Sequence, residues 1–366
     1  MHSDLILVIV VATALAFDFT NGFHDTANAV ATSVSTRAMP PRVAVALSSI
    51  LNFVGAFLSL QVAATIATGI VQADVITPSI VFAGLIGAIA WNLATWYFGL
   101  PSSSSHALIG GIVGSAFVAA GPDAVLGAGI VEKVIVPALV APVLALTVTA
   151  VAISLSYRIV GRRHPGPVTR SFRLGQWVTG SLFSLSHGTN DAQKTMGIIF
   201  LALVANGNLK STDSVPTWVV LSAATAIALG TYVGGWRIIR TMGSRIIKMD
   251  PAQGFASQGA GAAVILSASH AGFPLSTTHV MSGAIMGAGA AKRLSAVRWG
   301  VAGNIAVAWV LTLPAAAAVG GLTYAVVSLF GTHTAGPIVV CVLLLGLLIV
   351  ALGRRLAGGR TLAAEG

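Results

Sequence analysis

The chain has 366 residues, 55% hydrophobic and only 8% charged, with a formal net charge of +10. A soluble domain carries about 25% charged residues, so this composition excludes an ordinary soluble globular protein and puts most of the chain in lipid. The positive charge does not indicate a nucleic-acid partner, because the basic residues sit between apolar segments and form no stripe with interleaved aromatics. A single cysteine, Cys341, excludes an internal disulfide framework.

Apolar segments are expected at 5–36, 43–65, 79–98, 107–120, 134–157, 174–206, 217–236, 255–271, 280–291, 299–327 and 337–353. Long Ala/Leu/Ile/Val/Gly runs without two-residue alternation predict helices, so the fold class is an all-α integral membrane bundle of about 10–12 membrane segments. The first segment contains Ala14-Leu15-Ala16, which imitates a leader cleavage site. Its start has no Lys or Arg and carries Asp4, so it reads as an uncleaved span. At about 32 residues it would run roughly 48 Å as one helix, against a hydrocarbon core of about 30 Å. With polar residues in its middle it is expected to be broken or strongly tilted, and 174–206 shares the problem. The short segments 107–120 and 280–291 suit half-helices of re-entrant hairpins. Cys341, inside an apolar run, is expected to pack.

Most of the 20 basic residues fall in five clusters. These are Arg37 and Arg42; Arg158, Arg162, Arg163, Arg170 and Arg173; Arg237, Arg240, Arg245 and Lys248; Lys292, Arg293 and Arg298; and Arg354, Arg355 and Arg360. Placing all five in the cytoplasm puts the amino terminus outside and the carboxy terminus inside a plasma membrane (a bacterial inner membrane). Segments 5–36 and 174–206 then run in opposite directions. The expected organisation is repeat 1 over 1–157, a cytoplasmic linker 158–173, an inverted repeat 2 over 174–327, and an extra carboxy-terminal span and tail over 328–366.

Two polar motifs occur twice, in the same order, inside these apolar segments. Asn21-Gly22-Phe23-His24-Asp25-Thr26-Ala27-Asn28 is echoed by His187-Gly188-Thr189-Asn190-Asp191-Ala192-Gln193-Lys194. Pro101-Ser102-Ser103-Ser104-Ser105-His106 is echoed by Pro274-Leu275-Ser276-Thr277-Thr278-His279. Polar groups are costly in hydrocarbon, so duplicated polar clusters point to a transporter with a binding site at a repeat interface. Asp25 and Asp191 need a partner, a proton or a cation. Asn21 and His24 in one copy become His187 and Asn190 in the other, and Gly22 and Gly188 suit a helix break or a close backbone approach. Lys194 either pairs with Asp191 three residues back or adds positive charge beside an anion. The hydroxyl runs Ser103, Ser104, Ser105 and Ser276, Thr277, Thr278 precede helix starts, where free N–H groups and the dipole favour an anion; one hydroxyl would suffice for capping. His106 and His279 each lead a His-x3-Gly-x3-Gly pattern. The glycines allow close packing, and the histidines are either core residues or proton relays. Phosphate carries a P–OH donor and sulfate does not, so carboxylates beside the hydroxyl cradles favour phosphate, provided that the two clusters converge. No nucleotide-binding, hydrolase or zinc-protease signature occurs, so the chain is not expected to be an enzyme.

The duplicated motifs, together with Trp96-Tyr97-Phe98-Gly99-Leu100 before the first hydroxyl run and Gly272-Phe273 before the second, resemble the signatures of the PiT family of inorganic phosphate transporters. The likeness runs from residue 5 to about 327. It implies an inverted-repeat bundle that imports phosphate with a cation. Asp25 and Asn28, with Asn190 and Asp191, would serve the phosphate and coupling-ion sites, and Ser103–Ser105 and Ser276–Thr278 would cradle the anion. Sodium-coupled members tend to carry a Glu three residues before a Gly on the second span of each repeat. Here those places hold Asn52 (before Gly55) and Thr231 (before Gly234), so the chain is more similar to the low-affinity, proton-coupled bacterial branch, whose members carry phosphate with a divalent metal. A large insert between repeats is absent. The resemblance implies no cofactor and no structural metal site, only a coupling cation, H+ ahead of Na+, with phosphate, lipid and a homo-oligomer as partners. The alternatives are a sulfate permease on the same fold, a sodium-coupled phosphate symporter, a passive anion channel and a non-transporting scaffold.

Overall fold

The computed structural model describes residues 2–68, 70–72 and 74–364, with side-chain surroundings for 5–65, 70–72 and 74–350. Asp4 and the Arg354, Arg355 and Arg360 cluster lie outside the described side chains. The elements are α1 (His2–Ser35), α2 (Pro41–Gly55), α3 (Gln61–Thr68), α4 (Pro78–Phe98), α5 (Ser104–Ala120), α6 (Gly127–Ile130), α7 (Val136–Val160), α8 (Pro165–Ala205), α9 (Thr217–Val233), α10 (Trp236–Arg240), α11 (Pro251–His270), α12 (Thr277–Lys292), α13 (Trp299–Phe330) and α14 (Ala335–Ala364). Among the described residues the only β pairing is an isolated bridge between Val71 and Val125.

Among the described residues four stretches are long and apolar enough to cross a membrane: Leu5–Ser35, Pro78–Phe98, Gly127–Val160 and Trp299–Phe330. Thr217–Val233 with Trp236–Arg245 forms a fifth, bent by 59° at Gly234, whose φ of 76° is left-handed. The outward faces are apolar: Val140, Val143, Val310, Leu322, Leu343 and Leu347 are exposed, whereas Asp25, Asp191 and Lys194 are buried. This inverts the soluble pattern and marks a multi-pass membrane protein.

The motif segments of α1 and α8 are not broken. Both helices run continuously through their motifs. The motifs contain no proline, and Thr26 and Thr189 return their hydroxyls to the Gly22 and Leu185 carbonyls one turn back (2.7 and 2.8 Å). Gly22 and Gly188 serve the other role open to them: a Cβ at either would collide with backbone, of Ile227 and Thr231 on α9 in one case and of Asn52 on α2 in the other. The stretch expected as linker is a loop only briefly. From Pro165 onward it is the first turns of α8, since proline at the first helical position loses no hydrogen bond. Segment 43–65 is divided between α2 and α3.

Two hairpins shape the interior. In α4–α5, Thr77 caps the entry and Gly99 (φ 67°) ends the first arm. In α11–α12, Asp250 and Gln253 form a capping box and Gly272 (φ 75°) follows the first arm. The second arm of each hairpin packs on the last long helix of the other half, α5 on α13 and α12 on α7. Gly110 and Gly114 lie against the Leu313 and Ala317 backbone, and Gly283 and Gly287 against that of Pro142 and Leu146. α1 packs on α9 and α8 on α2, while α1 and α8 touch directly. This cross-packing carries the hydroxyl run of each hairpin to the middle of the molecule.

Candidate functional site

The starts of α5 and α12 meet in the core. The rings of His106 and His279, one turn into each helix, lie 4.8 Å apart. Ser103 and Ser276 are the N-caps, accepting the amide protons of His106 (3.2 Å) and His279 (3.3 Å). Two positive helix ends therefore face one region. Ser104, Ser105, Thr277 and Thr278 occupy the first turns, all buried.

The carboxylates from the other motif reach these turns. The Thr277 hydroxyl lies 3.2 Å from Asp25 Oδ2 and 3.5 Å from Asp191 Oδ2, and the Thr278 hydroxyl lies 3.3 Å from Asp25 Oδ1. Asn28 donates its amide to Thr277 (3.2 Å) and Thr278 (2.9 Å). From α8, the Lys194 ammonium donates to Asp191, to the Ser105 hydroxyl (2.5 Å) and to the Leu275 carbonyl (2.9 Å). His187 Nε2 stands 3.2 Å from Asp191 Oδ2, and His24 Nδ1 stands 2.8 Å from Asp25 Oδ1. One ligand atom each from Asp25, His187 and Asp191 falls within 4.8 Å of the others, an arrangement able to hold a cation. Carboxylates, hydroxyls, an ammonium and two helix ends thus share one buried volume. Such a set can bind an anion that itself carries a proton, together with a cation.

The profile of the phosphate transporter family matches residues 21–320, a span that contains both copies of both motifs. The chain belongs to that family. Among its relatives is a Mycobacterium tuberculosis (strain H37Rv) protein named "Probable low-affinity inorganic phosphate transporter", 56% identical over 90% of this chain and 79% of its own length. Proteins of the same name from Rhizobium meliloti and Bacillus subtilis are 48% and 44% identical, over 87% and 89% of this chain and 96% and 98% of their own. A solved structure titled "The sodium-dependent phosphate transporter" superposes with a TM-score of 0.80 at 26% identity, covering 88% of this chain and 99% of that one. These relatives are transporters, in keeping with the lack of enzyme motifs.

Some expected site residues lie outside the central cluster of this family member. The Asn190 amide turns to α11 and donates to Ser269 (2.9 Å). His24 is held by Thr95 (3.1 Å) and Ser102 (3.3 Å) as well as by Asp25. His279 bonds Ser276 (2.7 Å) and stacks on Trp309 at 4.0 Å. Asn52 and Thr231, where sodium-coupled relatives were expected to differ, touch each other: Asn52 donates its amide to the Thr231 hydroxyl (2.7 Å) and faces His187 Nδ1 (3.2 Å). Gln193 accepts the Val62 amide at the start of α3 (2.8 Å). Cys341 is exposed on α14 and does not pack inward. Asp18 was not singled out by the motifs, yet it is fully buried on α1. Its signal was the polar stripe Asp18, Asn21, Asp25, Asn28, spaced at three and four residues along one helix face.

Proposed function

We propose that this chain imports inorganic phosphate across the plasma membrane by cation symport, with the proton as coupling ion. The observation that carries the reading is the Thr277 hydroxyl placed within hydrogen-bond reach of both Asp25 and Asp191. Carboxylates from the two motif copies meet at one helix start. A phosphate bound there would take hydrogen bonds from Lys194, from hydroxyls including the unpartnered Ser104, and from the two helix ends. Its own P–OH would donate to a carboxylate. Sulfate has no such proton and would meet only repulsion from that oxygen.

The proton is favoured over sodium because Asn52 and Thr231 satisfy one another as neutral groups. Asp25, His187 and Asp191 are the groups to bind the coupling charge, or a divalent metal entering with phosphate. Inverted repeats over 1–157 and 174–327 account for the reciprocal packing of α5 on α13 and α12 on α7. In the cycle, the repeats rock about the loaded site.

Labelled-phosphate uptake in proteoliposomes, with sulfate as competitor, tests the substrate. Phosphate uptake that excess sulfate leaves intact is expected. Uptake of sulfate in preference to phosphate would replace this reading with the sulfate permease.

A further inference from the structure

Asp18 lies on α1 about two turns before Asp25, and neither of its carboxylate oxygens has a hydrogen-bond partner among the described residues. The side chains facing it are Asn21, from its own helix, and Thr195, from α8. The Asn21 amide oxygen and the Thr195 hydroxyl are themselves unpartnered, and both residues are only 1% exposed. Four oxygens without protein partners among the described residues therefore gather in the buried interior. The charged groups that reach Asp18 from packed elements are Asp191 and Lys194 on α8; on α1 itself, His24 and Asp25 lie further along. Lys194 makes no hydrogen bond to Asp18; its ammonium donates to Asp191, Ser105 and Leu275.

Donor counting identifies the missing species. An ionised Asp18 and the Asn21 oxygen are acceptors only, and the donors facing Asp18 are neutral ones, the Thr195 hydroxyl and the Asn21 amide N–H. A buried carboxylate so poorly supplied is costly. One added proton balances the group: the carboxyl O–H donates to Asn21, and Thr195 donates to the other carboxyl oxygen. A divalent metal asks for roughly six oxygens, and the group offers these four.

We propose that Asp18, Asn21 and Thr195 form a proton-binding site separate from the phosphate cluster, and that Asp18 carries a proton into the transport cycle in addition to the charge bound by Asp25, His187 and Asp191. The proton's role in transport rests on the symport reading; its place of binding does not. Loading Asp18 removes a negative charge beside Asp191 and so favours entry of an anion, which is the reciprocal coupling a symporter needs.

Difference infrared spectroscopy on the purified full-length protein reads the site without substrate. The carbonyl stretch of a neutral, buried carboxylic acid is expected at neutral pH, shifting in deuterium oxide and missing in Asp18→Asn. Thr195→Val should keep the band and shift its frequency upward, because the carboxyl C=O loses the hydroxyl that donates to it; this second variant guards against a misfolded first. In proteoliposomes, Asp18→Asn should retain phosphate exchange at equal pH and lose about tenfold of the stimulation by an inward proton gradient. A band unchanged in Asp18→Asn, no protonated carboxyl in the wild type, or undiminished proton drive in the variant overturns the proposal. If the wild type shows an Asp18-dependent band but exchanges no phosphate, the phosphate reading falls and the proton site stands.

Discussion

At the start of α12 neighbouring hydroxyls do different work, and substitutions separate them. Thr277 faces both Asp25 and Asp191, so Thr277→Val removes a hydrogen bond to a charged group, worth about 1.5–3 kcal/mol. The KM for phosphate is expected to rise roughly 10- to 100-fold with the protein still folded, as read in proteoliposome uptake. Ser103 instead caps α5 through the His106 amide. Ser103→Ala should cost about 1 kcal/mol of stability, seen in thermal unfolding, and leave KM near the wild-type value. The reverse pattern would assign the cap as the ligand. The residues of this cluster were legible because duplication marks them. Asp18 was not, because Ser184 stands at the matching offset in the second copy and a search for doubled motifs passes over an unmatched acid. Asn190 is part of a doubled motif, and its amide serves the α8–α11 contact, a partner that the motif alone does not show.

Among the helices, packing is set where backbones approach most closely. A Cβ at Gly114 would strike the Ala317 backbone, and one at Gly287 the Leu146 backbone. Gly114→Ala and Gly287→Ala are each expected to lower stability by about 1–3 kcal/mol. Gly303, on α13 with nothing near its Cβ position, should tolerate alanine or gain about 0.5–1 kcal/mol of helix propensity. Melting temperatures of the three purified variants decide this, and equal behaviour would mean that the helix contacts are misplaced. The His-x3-Gly-x3-Gly spacing announced these contacts in the sequence. The continuity of α1 and α8 was not legible, because a polar motif in a long apolar run reads equally as a break or as one face of an intact helix. Only the partners on α2 and α9, distant in sequence, show that Gly22 and Gly188 admit a neighbour.

For the molecule as a whole, the basic clusters predict orientation. In a Cys341→Ser background, Lys210→Cys should react with a membrane-impermeant thiol reagent added to intact cells, and Arg162→Cys should not until the membrane is opened. Both positions are exposed, so the opposite labelling would reverse the thread. The most direct measurement is labelled-phosphate uptake into proteoliposomes with a proton gradient and a sodium gradient imposed one at a time. Uphill accumulation under the inward proton gradient alone is expected. In Asp25→Asn and Asp191→Asn, where charge-assisted hydrogen bonds are lost, uptake should fall on the order of 100-fold. Accumulation driven by sodium alone, or undiminished in both variants, would contradict the proton-symport reading.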